Sequence, residues 1–200
     1  MIEAVIFDWG GVLIDLPNDN IYTHIAEVLR VERGTLQDLL VSLEDSLQRG
    51  VLEERDLWER VSAELGCAVP AGSLWYDAFA NAYVPHKPVF DIAKDLKRKG
   101  YSLGFLSNTE EPSMRFFRDQ KYDFFDATVF SCEGGVRLRK PERRIYEVVL
   151  GRLGVEPGSA VYIDDNPSYV QGAIDAGMYA ILFRDEAQLR KELVSLSVRL

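Results

Sequence analysis

The sequence predicts an α/β fold: a three-layer α/β/α arrangement around an open parallel sheet, with a helical block inserted after the first strand. Three observations predict it. Glu3-Ala-Val-Ile-Phe-Asp8 is a short, almost unbroken apolar run followed by Gly10-Gly11, the habit of a strand buried on both faces. From Val89 onward, helical and strand patterns alternate. Between these regions, from Asp19 to Tyr83, every apolar stripe recurs at helical spacing.

Within the inserted block, Ile21, Ile25, Val28 and Leu29 form one stripe, and Leu36, Leu39, Leu40, Leu43 and Leu47 a second. Leu57, Trp58, Val61 and Leu65 form a third, and Leu74, Trp75, Ala78, Phe79 and Ala82 a fourth. Stripes of this kind are core-facing. Gly34 is expected to end the first helix, Thr35 to cap the second and Gly50 to end it. After His86-Lys-Pro88, a helix is expected from Val89 to Lys99, then a strand at 101–107 and a helix from Pro112 to Gln120. A strand follows at 127–131, then a helix to Leu153 opened by Pro141 at its first position, which proline tolerates. A strand at 160–164, a helix at 167–176, a strand at 179–183 and a final helix from Gln188 complete the alternation, which says parallel sheet with helices on both faces. The expected organisation is therefore a core of residues 1–16 and 87–200, with residues 17–86 as a helical lid beside the carboxyl ends of the strands.

The 200 residues carry 23 Lys+Arg against 32 Asp+Glu, a formal net charge of −9. Composition is that of a globular chain, not a disordered or fibrous one. The acidic balance argues against a nucleic-acid partner, which would need clustered cations. The basic run from Arg137 to Arg144 reads as a solvated face around one useful lysine. No apolar run approaches the roughly 18 residues of a membrane span. No basic segment precedes an apolar one at the N-terminus, so the expected location is the cytoplasm. Cys67 and Cys132 read as buried free thiols, not as a disulfide or a zinc site. His24 and His86 read as structural or surface residues, His86 lying near the junction of lid and core.

Ligands of open α/β sheets bind outside the carboxyl ends of the strands, where the winding reverses. Four strands end in, or lead to, reactive side chains there: Asp8, Ser107-Asn108, Lys140 and Asp164-Asp165. Carboxylates brought together repel unless a cation or a shared proton relieves them. Oxygen ligands without nitrogen or sulfur suit Mg²⁺. Ser107 and Lys140 would offer a hydrogen bond and a positive charge to a phosphoryl group, and a carboxylate beside them can act as a nucleophile.

Phe7-Asp8-Trp9-Gly10-Gly11-Val12-Leu13, Leu106-Ser107-Asn108-Thr109, Arg139-Lys140-Pro141 and Tyr162-Ile163-Asp164-Asp165-Asn166 resemble, in order, the four motifs of the haloacid dehalogenase superfamily. The helical insertion resembles that superfamily's C1-type cap. The Gly-Gly variant most resembles the subgroup with a bacterial α-D-glucose-1-phosphate phosphatase and the N-terminal phosphatase domain of soluble epoxide hydrolases. The resemblance implies a hydrolase, a Mg²⁺-dependent phosphatase acting on a small phosphorylated metabolite such as a sugar phosphate. By the same resemblance Asp8 would be nucleophile and metal ligand, the Gly10 carbonyl a second ligand, and Asp164 a direct ligand supported by Asp165 directly or through water. Ser107 and the Asn108 backbone would hold the phosphoryl group, and Lys140 would neutralise charge. Trp9 would either line the leaving-group pocket or pack under the insertion.

One departure stands out. The usual phosphatase motif has an acid–base aspartate two residues after the nucleophile, where this chain has Gly10. Such help is worth about 10²–10⁴-fold. Two other readings therefore stand beside the phosphatase: a metal-free dehalogenase attacking carbon, which the Asp164-Asp165 pair opposes, and a phosphate-binding regulatory module with weakened catalysis. A phosphomutase would need the missing aspartate.

Overall fold

The computed structural model describes all 200 residues. Five strands, β1 (Ala4–Phe7), β2 (Ser102–Ser107), β3 (Ala127–Phe130), β4 (Ala160–Asp164) and β5 (Tyr179–Leu182), form one sheet in the order β3-β2-β1-β4-β5. Every neighbouring pair is parallel. The winding runs outward from β1 to β3, then returns to the other side of β1 for β4 and β5. The reversal lies at β1, so the carboxyl ends of β1 and β4 flank the crevice where ligands of such sheets bind.

Strand alternation splits the interior into two cores. Val5, Phe7, Leu103, Phe105, Val161 and Ile163 face one way and Ala4, Ile6, Leu106, Ala160 and Tyr162 the other. The first face carries α5 (Lys87–Arg98), α6 (Glu111–Asp119) and α9 (Glu186–Ser195), and the second α7 (Arg143–Leu153) and α8 (Pro167–Asp175). The expected three layers are present.

Four helices fill the segment between β1 and α5: α1 (Asn18–Leu29), α2 (Arg33–Gln48), α3 (Glu54–Leu65) and α4 (Leu74–Ala82). Their apolar stripes are buried as core and join the first-face cluster. The chain enters and leaves this block side by side. Ile14 bridges Pro85, Asp15 N donates to Val84 O, and His86 N donates to Leu13 O at 2.8 Å. The His86 ring meets Val12 O and Asp15 Oδ1 at 2.8 and 2.5 Å, fastening the junction. His86 is thus structural. Cys132 is buried, Cys67 half-buried, and both are free. No helix is long and apolar enough to cross a membrane.

Local signals misplaced three boundaries. The first helix ends at Leu29, with Arg30 in the left-handed region at φ 56, not at Gly34. Glu32, not Thr35, caps α2: its carboxylate accepts from Gly34 N and Thr35 N at 2.7 and 2.6 Å, satisfying two orphan donors of the first turn. Pro141 precedes α7 rather than opening it. It sits in a turn closed by Glu142 N and Arg139 O at 2.8 Å, which swings Lys140 inward. Gly50, at φ 61, does follow the end of α2.

Gly172 of α8 supports that turn. A Cβ there would stand 2.9 Å from both Pro141 Cβ and Pro141 O and 2.8 Å from the Tyr146 hydroxyl. These are rigid neighbours, so a larger residue must displace the turn. Gly172→Val is expected to destabilise the fold by about 1–3 kcal/mol. Urea denaturation measures this, and an unchanged midpoint would contradict the packing described.

Candidate active site

Asp8 extends β1 by one residue, its N–H continuing the ladder to Ile163 O at 2.9 Å. It is 6% exposed, and Asp164, at the end of β4, is wholly buried. Two buried carboxylates across adjacent strands would expel each other without a cation. Lys140 supplies one. Its Nζ lies 2.7 Å from Asp8 Oδ1 and 2.8 Å from Asp164 Oδ2, and it also donates to the Tyr162 hydroxyl at 2.9 Å. Tyr162 in turn donates to Asp164 Oδ2.

The electrostatics follow from burial. Desolvation, and then the Asp164 charge, push Asp8 up to about 8, while Lys140 pulls the other way. Burial alone would lower Lys140, but Asp8 and Asp164 together hold it above its ordinary range. Burial, then Asp164, also raises Asp165.

The two carboxylates of β4's end differ in situation. Asp164 Oδ2 already accepts from Lys140 and Tyr162, and its Oδ1 accepts from Asn166 N at 2.8 Å. Asp165 is half-buried and lines the cavity with Asp8 and Gly10. Oxygens of Asp8, Asp164 and Asp165 lie within 4.8 Å of one another. Gly11 makes this possible. It adopts φ 78, and a Cβ there would sit 2.2 Å from Asp165 Oδ2. The sequence displays Gly11, but only the approach of Asp165 reveals its purpose.

Ser107 and Asn108 end β2 at the same edge. Ser107 is 4% exposed, and its hydroxyl makes only a long bond to Asn108 O at 3.4 Å, so it can turn to a ligand. The Asn108 side chain has another partner. Its amide brackets the Lys140 backbone, accepting from Lys140 N at 2.8 Å and donating to Lys140 O at 3.1 Å. It thereby ties β2's end to the turn that carries the lysine.

Trp9 is 2% exposed. Its ring lies 4.8 Å from Phe79 of the insertion and 5.3 Å from Phe117 of the core. It packs under the insertion and also borders the cavity. That cavity, about 380 Å³, opens above Asp8 and is roofed by Ile21, Glu44, Gln48, Trp75 and Phe79. Of these roof residues, sequence reading saw only apolar stripes. Of the basic run, Arg139 pairs with Asp45 of the insertion at 3.0 Å and Lys140 is 3% exposed. Arg137, Arg143 and Arg144 are exposed, so the run is the solvated face expected of it, around one buried lysine.

Lys140→Met should cost about 3–5 kcal/mol, because both buried carboxylates lose their shared partner. The pH sign follows from Asp8. A folded pKa raised from about 3.9 gives stability that is full below the unfolded value and is lost as pH rises through the folded one. Without Lys140 that loss deepens. Urea midpoints in metal-free buffer should fall further for the variant than for the wild type between about pH 5 and about pH 8. Parallel pH profiles would show that Lys140 does not hold the pair.

A family model described as haloacid dehalogenase-like hydrolase matches residues 2–177. The phosphorylated carbohydrates phosphatase of Thermotoga maritima is 30% identical over 90% of this chain and 84% of its own length. Rat bifunctional epoxide hydrolase 2 (Rattus norvegicus) is 30% identical over 66% of this chain, a match spanning 25% of that longer protein. Among solved structures, HAD family enzyme BT-2542 of Bacteroides thetaiotaomicron, in complex with magnesium and inorganic phosphate, superposes with a TM-score of 0.79 at 20% identity, covering 94% of this chain and 99% of that one. A sheet that reverses at β1, reactive residues at its carboxyl edge and a sequence match along most of the chain agree: this protein belongs to the haloacid dehalogenase-like hydrolase family.

Proposed function

We propose that the protein is a Mg²⁺-dependent phosphatase that hydrolyses a small phosphorylated metabolite through an aspartyl-phosphate on Asp8. The observation that carries this reading is the charge of the cavity floor. Three carboxyl groups converge on one ammonium beside a cavity of metabolite size, and the raised Asp8 and Asp165 mark acidic groups that Lys140 alone does not offset. The donor set is oxygen without imidazole or thiolate, which fits a hard divalent cation. Residues 17–86 act as the cap over a core of residues 1–16 and 87–200. That the Thermotoga relative is named a phosphatase supports the reaction class.

In this reading Asp8 and Asp165, with the Gly10 carbonyl, would hold the ion. Asp164, whose oxygens already accept from three donors, stands behind them as the partner of Lys140. That keeps Asp165 at the ion and moves Asp164, which the motif implies is a direct ligand, behind it. Mg²⁺ held there would supply positive charge beside the phosphoryl oxygens. Lys140 adds a second positive charge beside Asp8, and the Ser107 hydroxyl and Asn108 N–H orient the group. Asp8 attacks phosphorus, the bond to the leaving oxygen breaks, and water then cleaves the acyl phosphate to release inorganic phosphate and free Asp8. A dehalogenase would have to draw a carboxylate substrate onto the same acidic floor without a metal, which disfavours that reading.

Asp8→Asn should remove turnover of p-nitrophenyl phosphate while keeping the melting temperature within a few degrees, and a chelator should silence the wild type. Full turnover by the variant, or activity that survives the chelator, would overturn the proposal.

Gly10 has a separate consequence. A Cβ there would find nothing closer than Leu16 Cδ2 at 3.5 Å, so an aspartate has room. Wild-type kcat/KM should fall steeply as the leaving group becomes more basic. Gly10→Asp should raise the rate on alkyl phosphates by about 10²-fold or more and flatten that dependence. A leaving-group series measures both slopes. Equal slopes would mean that another group already supplies the proton.

A further inference from the structure

Lys140 is the one cationic residue of the cavity lining, but it has no proton free for a ligand. An ammonium has three N–H donors. Asp8 Oδ1 takes one at 2.7 Å, Asp164 Oδ2 one at 2.8 Å and the Tyr162 hydroxyl one at 2.9 Å. Diverting any of them would leave a buried acceptor unpaired. A phosphoryl group in the cavity therefore meets the charge of Lys140, but it must find its hydrogen-bond donors elsewhere in the lining.

Tyr169, in the first turn of α8, is a donor with nothing to donate to. It is half-buried and lines the cavity with Asp8, Ser107 and Asn108. Lys140 Nζ lies 4.8 Å from the centre of its ring, within cation–π range, so the ring stands at the charged floor. Its hydroxyl lies 3.4 Å from Asn108 Nδ2. The Asn108 amide is oriented by its two bonds to the Lys140 backbone, so at Tyr169 it is the nitrogen that donates. The phenolic oxygen is thus an acceptor in that contact, and no protein group accepts its own O–H. The backbone behind it is fixed: the Tyr146 hydroxyl donates to Tyr169 O at 2.7 Å, and Gly172 lets the helix press against Pro141. A rigidly carried hydroxyl with an unspent proton therefore lies next to Asn108, at the end of β2, and over the lysine that pairs with Asp8.

We propose that Tyr169 is a further catalytic residue: its hydroxyl donates a hydrogen bond to a non-bridging phosphoryl oxygen, the contact that Lys140 cannot make, while its ring covers the ammonium. The proton stays on the tyrosine, so the contact orients the phosphoryl group and leaves the dependence on leaving-group basicity to position 10. This inference rests on the phosphatase reading above.

The test is Tyr169→Phe, which keeps the ring on Lys140 and removes only the hydroxyl. Inorganic phosphate is titrated calorimetrically into wild type and variant with Mg²⁺ present, Mg²⁺ is titrated alone, and both proteins are assayed on p-nitrophenyl phosphate. The variant should bind phosphate about tenfold more weakly and lose about tenfold in kcat/KM, the worth of one hydrogen bond to a charged group. Its Mg²⁺ affinity and urea midpoint should match those of the wild type. Phosphate affinity within about twofold of wild type overturns the inference, since about 1.4 kcal/mol separates each tenfold step. A loss of Mg²⁺ affinity as large as the loss of phosphate affinity also overturns it, because the tyrosine would then act through the floor and not on the phosphoryl group. A wild type that binds phosphate but leaves p-nitrophenyl phosphate intact ends the phosphatase reading, and the two phosphate titrations still decide the role of Tyr169. A wild type that binds no phosphate with Mg²⁺ ends both.

Discussion

One ammonium between two carboxylates organises this molecule. Lys140 is almost wholly buried, and removing its charge from water is costly. The cost is offset only while Asp8, Asp164 and the Tyr162 hydroxyl all remain within hydrogen-bond reach. Those groups belong to β1 and β4, whereas Lys140 arrives on the turn before α7. The ion pair can therefore form only if three separate segments are placed to within a few tenths of an ångström. The scaffold around it does this. Asn108 brackets the Lys140 backbone from the end of β2, and glycine at 172 lets α8 press against Pro141. A site of this kind is supported by neighbours whose own positions are locked.

The insertion is joined to this scaffold in two chemically different ways. Around Trp9 the contact is aromatic and buried, and the insertion shares a continuous apolar cluster with the first face of the sheet. At the rim it is ionic: Arg139 meets Asp45, and Arg49 meets Glu142 at 2.7 Å. Half-exposed pairs contribute little to stability but do fix orientation. The bridged segments at 13–15 and 84–86 hold the two ends of the insertion together. Its roof residues are thus held over Asp8 by a buried aromatic contact and an ionic edge.

The sequence revealed the strands because parallel strands buried on both faces leave unbroken apolar runs, as in Ala-Val-Ile-Phe at 4–7 and Ala-Val-Tyr-Ile-Asp at 160–164. It revealed the carboxyl-edge residues because each follows such a run directly. Helix caps were less legible. Glu32 is an uncommon cap, and it serves α2 because Gly34 has no Cβ to crowd its carboxylate; the added atom would lie 3.2 Å away. Pro141 carries the mark of a helix start, yet the turn it occupies answers to Lys140, a long-range demand that local propensity does not express. The same holds for the roof. Glu110 reads as a charge at a helix start, but it lies against Gln48, 62 residues away, and burial raises its carboxyl above the usual range. The different situations of Asp164 and Asp165 were equally hidden, since both letters are aspartate and only Tyr162, Asn166 and Gly11 distinguish them.

A chain of net charge −9 that binds a phosphate dianion presents an apparent conflict. Distance and burial resolve it. Surface charges act weakly beyond a screening length of about 8 Å in physiological salt, so the chain's overall charge bears mainly on encounter rate. Within the cavity, where water is excluded, a few fixed charges dominate. There three carboxyl groups share one ammonium, and burial with mutual repulsion raises Asp8 and Asp165, so protons take up the charge that Lys140 does not offset. A divalent ion in the cluster would displace those protons and add the positive charge that a phosphate dianion needs. The roof is acidic as well: Glu44 and Glu110 flank Gln48, and Lys140 on the floor is the one cationic residue of the lining, so the cavity's single fixed positive charge lies beside Asp8.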